Sequence, residues 1–447
     1  MILRDSSYMM KKMKDKLIKK IKDKKAKIGI IGLGYVGLPL AIRFREEGFS
    51  IIGFDTDKNK IAKLKNKKSY IDNISDKKLK DLFTAGNASF TTNYEKISDC
   101  DVLILCVPTP LNKFKEPDLS YVTSTIDSLL PYAKKGQVVS LESTTYPGTT
   151  DEELVPKLKA KKFNIGRDFF VIYSPEREDP GNLDFTTKTV PKVCGGYSSN
   201  CIDVGEMLYS MVIDKVVKVS SLRAAEMTKL LENIHRAVNI GLVNELKVIC
   251  DKMDIDIYEV IDAASSKPFG FTPYYPGPGL GGHCIPIDPF YLTWKAKEYG
   301  INTRFIELSG EINASMPNYV VNKISECLND RKKSIKSSSI LIMGAAYKKN
   351  VSDMRESPSV QIMDILKKQG AKVAYHDRHV EYLPSMRKYN FDLRSIDLTP
   401  KRISKYDVVV ICTDHDSVDY EMVYKYSKVI VDCRGKYKNK KNKIIRA

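Results

Sequence analysis

The sequence contains no CxxC pair and no long apolar run, and no apolar segment follows its lysine-rich N-terminal residues. Its nine cysteines are scattered, which argues for reduced thiols in a cytoplasm and against a disulfide framework or a zinc site. No apolar stretch approaches the roughly 18 residues that a membrane-spanning helix needs. The N-terminus lacks the pattern of a secretory signal. We therefore expect a cytoplasmic protein with no metal and no membrane span.

Positive charge is abundant but unevenly distributed along the chain. The formal net charge is +18, of which residues 1–27 carry +8 and residues 435–447 carry +6. Basic tails are most often solvated ends, so the sequence predicts no nucleic-acid partner. The 447 residues, 43% of them hydrophobic, are enough for two or three domains with a large core.

A short amphipathic helix is predicted ahead of the first strand. Within residues 9–25, Met10, Met13, Leu17 and Ile21 recur at helical spacing and form one apolar stripe. We expect this stripe to pack on the body of the protein, and a role at a membrane surface is the alternative.

A glycine-rich turn follows the first predicted strand. The strand leads into Gly32-x-Gly34-x-x-Gly37, a helix follows, and a second strand ends at Asp55, 18 residues after Gly37. This is the dinucleotide fingerprint in its required context. The glycines allow close approach of a pyrophosphate, and the helix N-terminus supplies N–H donors to it. Asp55 would accept from the ribose hydroxyls and repel a 2′-phosphate, so NAD is favoured over NADP. The alternative is a degenerate nucleotide site.

Polar residues follow three further predicted strands. The carboxyl ends of parallel strands are where α/β sheets bind ligands. Turn or capping chemistry is the alternative for Thr144, and a solvated turn is the alternative for Glu176. The segments are Pro108-Thr109-Pro110, Glu142-Ser143-Thr144-Thr145 and Ser174-Pro175-Glu176-Arg177.

A long helix and a second α/β unit make up much of the remaining chain. From about residue 223 to residue 253, apolar residues repeat at three and four, which predicts a helix that joins two domains. Lys229 and Asn233 are four residues apart and therefore share a face of this helix. After a polar joint at residues 331–339, a second α/β unit begins without the GxGxxG motif. Its Lys348 and Arg355 are suited to phosphates or hydroxyl groups.

A cysteine ends the most glycine-rich stretch of the chain, Gly277-Pro278-Gly279-Leu280-Gly281-Gly282-His283-Cys284. Asp288 follows four residues after Cys284. Glycines let a ligand approach the backbone closely, and a cysteine with an acid nearby is a candidate covalent nucleophile. The alternative is a glycine- and proline-containing turn with a buried thiol.

Taken together, these motifs resemble the UDP-glucose/GDP-mannose dehydrogenase family over residues 27–435. Within that family, residues 176–181, residues 275–279 and the basic helix resemble the branch that oxidises UDP-N-acetylglucosamine. The motifs that carry the resemblance are Gly32-x-Gly34-Tyr35-Val36-Gly37-Leu38-Pro39, Ser174-Pro175-Glu176-Arg177, Gly281-Gly282-His283-Cys284-Ile285-Pro286-x-Asp288 and Gly344-x-Ala346-x-Lys348.

The resemblance implies an α/β fold with two Rossmann-like, doubly wound parallel-sheet domains joined by a long central helix and a helical middle segment. Four regions are expected. They are a basic N-terminal helix at residues 1–26, an NAD-binding domain at 27–215, a central helical domain for dimerisation and catalysis at 216–330, and a UDP-sugar-binding domain at 331–447.

The resemblance also implies the reaction. A sugar C6 alcohol is oxidised to an aldehyde, which Cys284 holds as a thiohemiacetal. A second oxidation gives a thioester, which water hydrolyses to the uronate. Two hydride steps at one carbon need a covalent holder for the aldehyde, which explains a cysteine near a nicotinamide. The product is expected to serve surface-polysaccharide synthesis.

Five further residues are expected to assist Cys284. Lys229 and Asn233 would stabilise the oxyanion-like intermediates. Asp288 would orient water or help to deprotonate it with Lys229. Thr144 and Glu176 would act through a positioned water.

The binding contacts are expected from the same resemblance. The expected cofactor contacts are Gly32, Gly34, Tyr35, Val36, Gly37, Asp55, Lys60, Pro108, Thr109 and Thr144. The expected substrate contacts are Glu176, Arg177, Lys229, Asn233, Tyr275, Gly281, Lys348 and Arg355. The expected partners are a UDP-sugar and a second copy of the chain, as a homodimer or higher homo-oligomer.

One departure from the family pattern bears on the substrate. UDP-glucose dehydrogenases carry a sugar-contacting arginine before the glycine-rich turn, and residues 267–275 contain none. A UDP-N-acetylhexosamine fits this difference, with UDP-N-acetylglucosamine favoured and UDP-N-acetylmannosamine or UDP-glucose as alternatives. A two-electron hydroxyacid dehydrogenase and a non-catalytic nucleotide-sugar sensor are the competing functions.

Overall fold

The computed structural model describes residues 13–71, 74–83, 86–112, 114–177, 185–282, 285–384, 389–438 and 442–447. The chain divides into two compact units. The first comprises Met1–Glu232 and Phe290–Gly300, and the second comprises Asn233–Pro289 and Ile301–Ala447. Among the described residues, every helix is too short or too polar to cross a membrane.

The first unit contains one eight-stranded sheet in the order β3-β2-β1-β4-β5-β6-β7-β8. All neighbouring strands are parallel except β6 and β7, which are antiparallel. The strands are β1 (Lys27–Ile31), β2 (Ser50–Phe54), β3 (Ala88–Thr91), β4 (Val102–Leu105), β5 (Val138–Leu141), β6 (Phe170–Tyr173), β7 (Lys192–Gly196) and β8 (Val216–Lys218).

The strand register brings the loops of this sheet to one edge. Ile31 is paired with Phe54 on one side and with Leu105 on the other, so β1, β2 and β4 end at the same level. Leu105 is in turn paired with Leu141, and Leu141 with Tyr173. The residues that follow these strands therefore share the carboxyl edge, where parallel sheets bind ligands.

Helices cover both faces of this sheet. Alternate residues of its strands are therefore buried in two separate clusters. Ile30 and Ile104 belong to one cluster, and Ile31 and Leu105 to the other. The helices are α1 (residues 13–22), α2 (Gly37–Glu46), α3 (Lys58–Lys65), α4 (Asp76–Leu82), α5 (Ser120–Leu129), α6 (Val155–Ala160) and α7 (Ser199–Ser210), with a 3-10 helix at Tyr94–Asp99 and a π-helix at Thr150–Leu154.

Helix α1 packs as the sequence predicted. Leu17 and Ile21 are buried in the core of the first unit. Lys14 pairs with Asp203 at 2.9 Å. Met10, which was expected on the same stripe, lies outside the described residues.

Two helices continue across the division between the units. Helix α8 (Leu222–Lys252) contains the boundary after Glu232, and α10 (Asp288–Lys297) contains the boundary after Pro289. The predicted long central helix is confirmed by α8.

The second unit contains a five-stranded parallel sheet in the order β10-β9-β13-β14-β15 and a separate pair, β11-β12. Ile342 and Val410 belong to one buried cluster, and Leu341 and Val409 to another, so this sheet is also covered on both faces. The elements are α9 (Ile257–Ser265), α11 (Arg304–Asn329), β9 (Ser339–Met343), α12 (Pro358–Lys368), β10 (Lys372–His376), β11 (Tyr382–Leu383), β12 (Leu393–Arg394), α13 (Pro400–Ile403), β13 (Val408–Ile411), α14 (Tyr420–Tyr426), β14 (Ile430–Asp432) and β15 (Ile444–Arg446).

The predicted α/β fold with two doubly wound sheets is confirmed, with two differences. The antiparallel pairing of β7 with β6 interrupts the parallel order. The basic C-terminal tail was expected to be solvated, and that expectation is wrong for its last residues, because Ile444–Arg446 forms β15 beside β14. Arg446 is held there by a 2.6 Å ion pair with the fully buried Asp432.

Candidate active site

The three glycines of the β1–α2 turn have different surroundings. Gly32 has a φ of +91°, and a Cβ there would lie 2.5 Å from the carbonyl oxygen of Cys106. A Cβ on Gly37 would lie 1.9 Å from the oxygen of Gly32. No described atom lies within 4 Å of the Cβ position of Gly34. Two glycines therefore allow the turn to form, and the third leaves open space for a ligand.

Asp55 follows β2 at the same edge and is 8% exposed. Its Oδ2 accepts from the Leu33 N–H at 3.0 Å and lies 3.3 Å from the Lys60 ammonium. Its Oδ1 accepts from the Asp57 N–H at 2.9 Å. Since a carboxylate offers about four lone pairs, Asp55 retains capacity for ribose hydroxyls. Tyr35 and Val36 lie within the turn, and Tyr35 is exposed.

These surroundings fit NAD. The open face beside Gly34 suits a pyrophosphate, and α2 begins there with N–H groups that favour an anion. An acid at the end of β2 suits a ribose without a 2′-phosphate. Bound NAD would supply a hydride acceptor.

The loops after β4 and β5 are joined by a hydrogen bond from a side-chain hydroxyl to a backbone carbonyl. The Thr109 hydroxyl donates to the Thr144 carbonyl at 2.8 Å, and the Tyr291 hydroxyl donates to the Thr109 carbonyl at 2.7 Å. Pro108 precedes this contact. Thr144 is half-buried in the loop after β5.

A buried ion pair supports the loop after β6. The Lys192 ammonium lies 2.6 Å from the Glu142 carboxylate and 3.3 Å from the Pro175 carbonyl, next to Glu176. Tyr209 donates a further hydrogen bond to Glu142. Burial raises the pKa of Glu142 and Lys192 opposes that rise. For Lys192, burial lowers the pKa, but the negative charges of Glu142 and Glu176 together outweigh burial, so the pKa is raised.

The sequence did not indicate this pair as a functional element. Glu142 directly follows a buried strand, which is a signal that it lies at the ligand-binding edge. Lys192 is 50 positions away, and its local sequence carries no comparable sign. The pair became visible only when β5 and β7 were placed in one sheet.

Glu176 and Arg177 lie at the end of the described part of this loop. Glu176 Oε1 accepts from the Arg177 N–H at 2.8 Å. The Arg177 guanidinium pairs with Glu232 at 2.6 Å and donates to the Pro191 carbonyl. These contacts join the loop to α8 at Glu232 and to Pro191, directly before β7.

Two of the predicted catalytic residues meet in the second unit. Asn233 Nδ2 donates a hydrogen bond to Asp288 Oδ2, and the two residues are 7% and 3% exposed. Lys229, 9% exposed, lies one helical turn before Asn233 along α8. Asn233 therefore orients the carboxylate that lies four residues after Cys284.

Cys284 itself, together with His283, lies outside the described residues. The glycines before it pack closely on the second unit: a Cβ on Gly281 would lie 2.5 Å from the Tyr347 Cβ, and one on Gly282 would lie 2.9 Å from the Tyr347 ring. The Gly282 N–H donates to the Arg355 carbonyl at 2.9 Å. The cysteine is therefore preceded by a tightly packed glycine pair.

The remaining predicted substrate contacts also lie in the second unit. Arg355 is 46% exposed in its side chain and pairs with Asp353 at 2.7 Å. Tyr275 donates to Asp262 at 2.8 Å. Lys348 is half-buried in the loop after β9. The side chains of Arg355 and Tyr275 are thus engaged with carboxylates.

Asp377 lies at the end of β10, where Asp55 lies at the end of β2. Its Oδ2 accepts from the N–H groups of Ala345 and Ala346 at 2.8 and 2.9 Å and lies 3.0 Å from His415 Nε2. Its Oδ1 accepts from the N–H groups of His379 and Val380. Burial opposes the ionisation of Asp377, but His415 and the backbone donors outweigh it and lower its pKa.

Comparison with known proteins agrees with this arrangement. Three profiles of the UDP-glucose/GDP-mannose dehydrogenase family match the chain: its NAD binding domain over residues 26–213, its central domain over 223–315 and its UDP binding domain over 341–439. The predicted family and the predicted cofactor are therefore confirmed.

Similar proteins of this family act on different sugars. The chain is 35% identical to UDP-N-acetyl-D-glucosamine 6-dehydrogenase of Salmonella typhi over 391 residues, 87% of this chain and 90% of that one. It is 33% identical to UDP-N-acetyl-D-mannosamine dehydrogenase of Methanococcus maripaludis over 395 residues, 87% of this chain and 86% of that one.

A solved structure shows the same fold. The UDP-D-ManNAc dehydrogenase from Pyrococcus horikoshii matches with a TM-score of 0.84 at 30% identity, covering 94% of this chain and 98% of that one. The chain therefore belongs to the UDP-glucose/GDP-mannose dehydrogenase family and is an NAD-dependent UDP-sugar dehydrogenase.

Proposed function

We propose that this protein oxidises the C6 hydroxyl of a UDP-N-acetylhexosamine, with UDP-N-acetylglucosamine favoured, to the uronic acid in two NAD-dependent steps. The observation that carries this proposal is the hydrogen bond between Asn233 and Asp288, four residues after Cys284. This bond orients the carboxylate of Asp288, and the Cys284 thiol is a group that can form a covalent adduct with an aldehyde. Each sugar consumes two NAD and one water.

Four residues of this chain have separate roles in the reaction. Bound NAD would accept a hydride in each oxidation. The Cys284 thiolate adds to the aldehyde carbon, and water later displaces it from the thioester. Lys229 and the Asn233 amide stabilise negative charge on the reacting oxygen, since preorganised donors are worth most where charge develops. Asp288 accepts a proton from the attacking water.

Two residues of the first unit, Thr144 and Glu176, would assist through a positioned water. Thr144 and Glu176 follow β5 and β6 at the ligand-binding edge, and their loops are supported by Thr109 and by Lys192. Neither residue needs to transfer a proton itself in this scheme. Their removal should slow the reaction without abolishing the covalent step.

The choice of an N-acetylated sugar rests on two observations. Residues 267–275 contain no arginine to contact the sugar. The similar proteins from Salmonella typhi and Methanococcus maripaludis are named for UDP-N-acetylglucosamine and UDP-N-acetylmannosamine. The mannosamine epimer is therefore the second candidate. Gly281, Tyr275, Lys348 and Arg355 would hold the nucleotide sugar, and the product would serve surface-polysaccharide synthesis in the cytoplasm.

A homodimer would explain an apolar stripe on α8. Leu242, Leu246 and Ile249 on α8 recur at helical spacing and are 50%, 38% and 48% exposed, and Met253, directly after the helix, is 63% exposed. Large exposed apolar stripes on one helix face are typical of protein interfaces. A second copy of the chain would cover the same residues symmetrically.

The test is the amount of NADH formed per UDP-sugar consumed, measured with the three UDP-N-acetylhexosamine epimers and UDP-glucose. Two NADH per UDP-N-acetylglucosamine would support both the mechanism and the sugar. Two NADH only with UDP-N-acetylmannosamine would keep the mechanism and change the sugar. One NADH per sugar, unaffected by Cys284→Ala, would identify a two-electron dehydrogenase. Binding without NADH would identify a sensor.

A further inference from the structure

Two asparagines form a buried amide chain beside the cysteine segment, which we define as residues 277–288. Asn244 on α8 is 0% exposed, and its Oδ1 accepts from the Gly277 N–H at 3.0 Å. Its Nδ2 donates to Asn313 Oδ1 on α11 at 2.8 Å. Asn313 is 4% exposed, and its Nδ2 donates to the Ala237 carbonyl at 3.0 Å.

The ends of this chain determine the orientation of both amides. One end is a backbone N–H, which only donates, and the other is a backbone carbonyl, which only accepts. Both side chains must therefore accept on one side and donate on the other. Among side chains of this size only a carboxamide does both, so aspartate and leucine each break the chain. Because the groups are buried, a break leaves polar atoms without partners.

The surrounding packing leaves little freedom to the two helices and the segment. A Cβ on Gly241, one turn before Asn244, would lie 2.9 Å from the Ser309 Cβ on α11. Gly279 has a φ of +135°, and its Cβ position lies 3.4 Å from the Asn313 carbonyl oxygen and 3.3 Å from Pro358. At Gly279, two residues after the hydrogen bond at Gly277, the segment therefore packs closely against α11 and α12.

The same helix thus holds the cysteine segment at both ends. Asn233 binds Asp288 at one end, and Asn244 binds Gly277 at the other. The two asparagines are 11 residues apart on α8, or about 16 Å along the helix. Cys284 lies between the two attachment points in the sequence.

We propose that Asn244 and Asn313 are positioning residues for the nucleophile: they fix the N-terminal end of the cysteine segment relative to α8, while Asn233 fixes the C-terminal end. The proposal rests on the proposed function, in which Cys284 attacks the aldehyde. Neither Asn244 nor Asn313 needs to touch the substrate. Small displacements of a reacting group reduce rates strongly even when binding is retained.

The test uses full-length Asn244→Ala, with Asn239→Ala as the matched control. Asn239 lies on the same helix, and its amide donates to the His235 carbonyl in an exposed position. The readouts are hydrogen–deuterium exchange of peptides covering Gly277–Gly282 and the alkylation rate of Cys284 by iodoacetamide, determined by mass spectrometry. Neither readout requires turnover.

In Asn244→Ala we expect exchange of the Gly277–Gly282 peptides to accelerate about tenfold or more, since one buried hydrogen bond is lost. The alkylation rate of Cys284 should change about threefold or more, while peptides from α12 and α14 exchange as in the parent protein. The kcat for NADH formation should fall about tenfold with the KM for the UDP-sugar unchanged. Asn239→Ala should match the parent protein in all respects.

Asn313→Asp is the second variant: it keeps the acceptor for Asn244 but puts a carboxylate oxygen, in place of the amide donor, against the Ala237 carbonyl. It should show the same changes in the exchange of Gly277–Gly282 and in the alkylation of Cys284. The proposal is overturned if both variants leave the segment's exchange and the alkylation of Cys284 within twofold of the parent protein. It is also overturned if every peptide of the second unit accelerates equally in both variants, since the amides would then serve general stability.

A different measurement tests the proposed function. One NADH per sugar in the parent protein would refute the covalent mechanism. The exchange and alkylation results would still show whether the amide chain positions the cysteine segment.

Discussion

Each α/β unit of this protein has an aspartate directly after one of its β-strands. The two aspartates differ in their hydrogen-bond partners. Asp55 after β2 accepts hydrogen bonds from two backbone N–H groups and contacts Lys60. Asp377 after β10 accepts from four backbone N–H groups and contacts His415. The first retains acceptor capacity for a ribose, and the second is saturated by its own protein. The same topology therefore leaves a carboxylate with free acceptor capacity in one unit and a carboxylate fully engaged by protein donors in the other.

Buried lysines show a second contrast between the units. Lys192 in the first unit is paired with Glu142 at 2.6 Å. Lys247 in the second unit is 2% exposed, and no hydrogen-bond partner for its Nζ exists within the described part of the chain. Burial lowers the pKa of Lys247 to about 8. A paired ammonium keeps its proton, and an isolated one holds it weakly.

The largest change in the free energy of unfolding is expected when the ion pair between Lys192 and Glu142 is broken. Lys192→Met should lower the free energy of unfolding by about 3–5 kcal/mol, because Glu142 would remain buried without its cation. Urea unfolding monitored by circular dichroism measures the change. The control is the double variant Glu142→Gln/Lys192→Met, which should recover most of the loss. A single variant as stable as the parent protein would contradict the importance of this pair.

Asp377→Asn should lower the free energy of unfolding by about 3 kcal/mol, since one amide oxygen cannot replace a carboxylate that accepts several buried hydrogen bonds. The KM for NAD should not change. Thermal unfolding and steady-state kinetics check the two statements. A raised KM for NAD with unchanged stability would mean that Asp377 has the role assigned here to Asp55.

Lys247→Met tests the isolated ammonium through the pH dependence of stability. The pKa of Lys247 is 10.5 when unperturbed and about 8 in the folded protein. The unfolded chain therefore binds more protons between these values, and this group makes the free energy of unfolding rise with pH from about 8 to about 10.5. The full contribution is on the order of 3 kcal/mol, present as a penalty below pH 8.

In Lys247→Met that rise should disappear, and the variant should be more stable than the parent protein at pH 7. Urea unfolding at several pH values gives the comparison. Lys252→Met, at an exposed position near the end of α8, is the control and should keep the parent profile. An unchanged profile in Lys247→Met would show that another group titrates in this window.

The smallest expected effect is on cofactor binding. Asp55→Ala should raise the KM for NAD about tenfold, because a charged acceptor for the ribose is lost. It should also narrow the preference for NAD over NADP, since the charge that repels a 2′-phosphate is removed. Initial rates with both cofactors measure this. Equal KM values for NAD in the variant and the parent protein would exclude Asp55 as a ribose contact.

Much of the fold followed from local patterns. The glycine spacing around Gly34, the apolar strands and the long helix were all predicted, because each is encoded within a few neighbouring residues. Strand β15 in the basic tail was not, because it forms by pairing with the neighbouring strand β14, where Arg446 meets Asp432. The pairing of β7 against β6 likewise depends on residues that are distant in sequence.

For the candidate site, the amino-acid sequence alone identified the available chemical groups. They are the dinucleotide turn with its acid, Lys229 and Asn233 on one helix face, and Cys284 with Asp288 after a glycine-rich stretch. Which of the buried polar groups contact each other depended on the folded chain. It joined Asn233 to Asp288, Asn244 to Gly277 and Lys192 to Glu142. Motif spacing reports backbone conformation, whereas the pairing of buried polar groups depends on where distant segments meet.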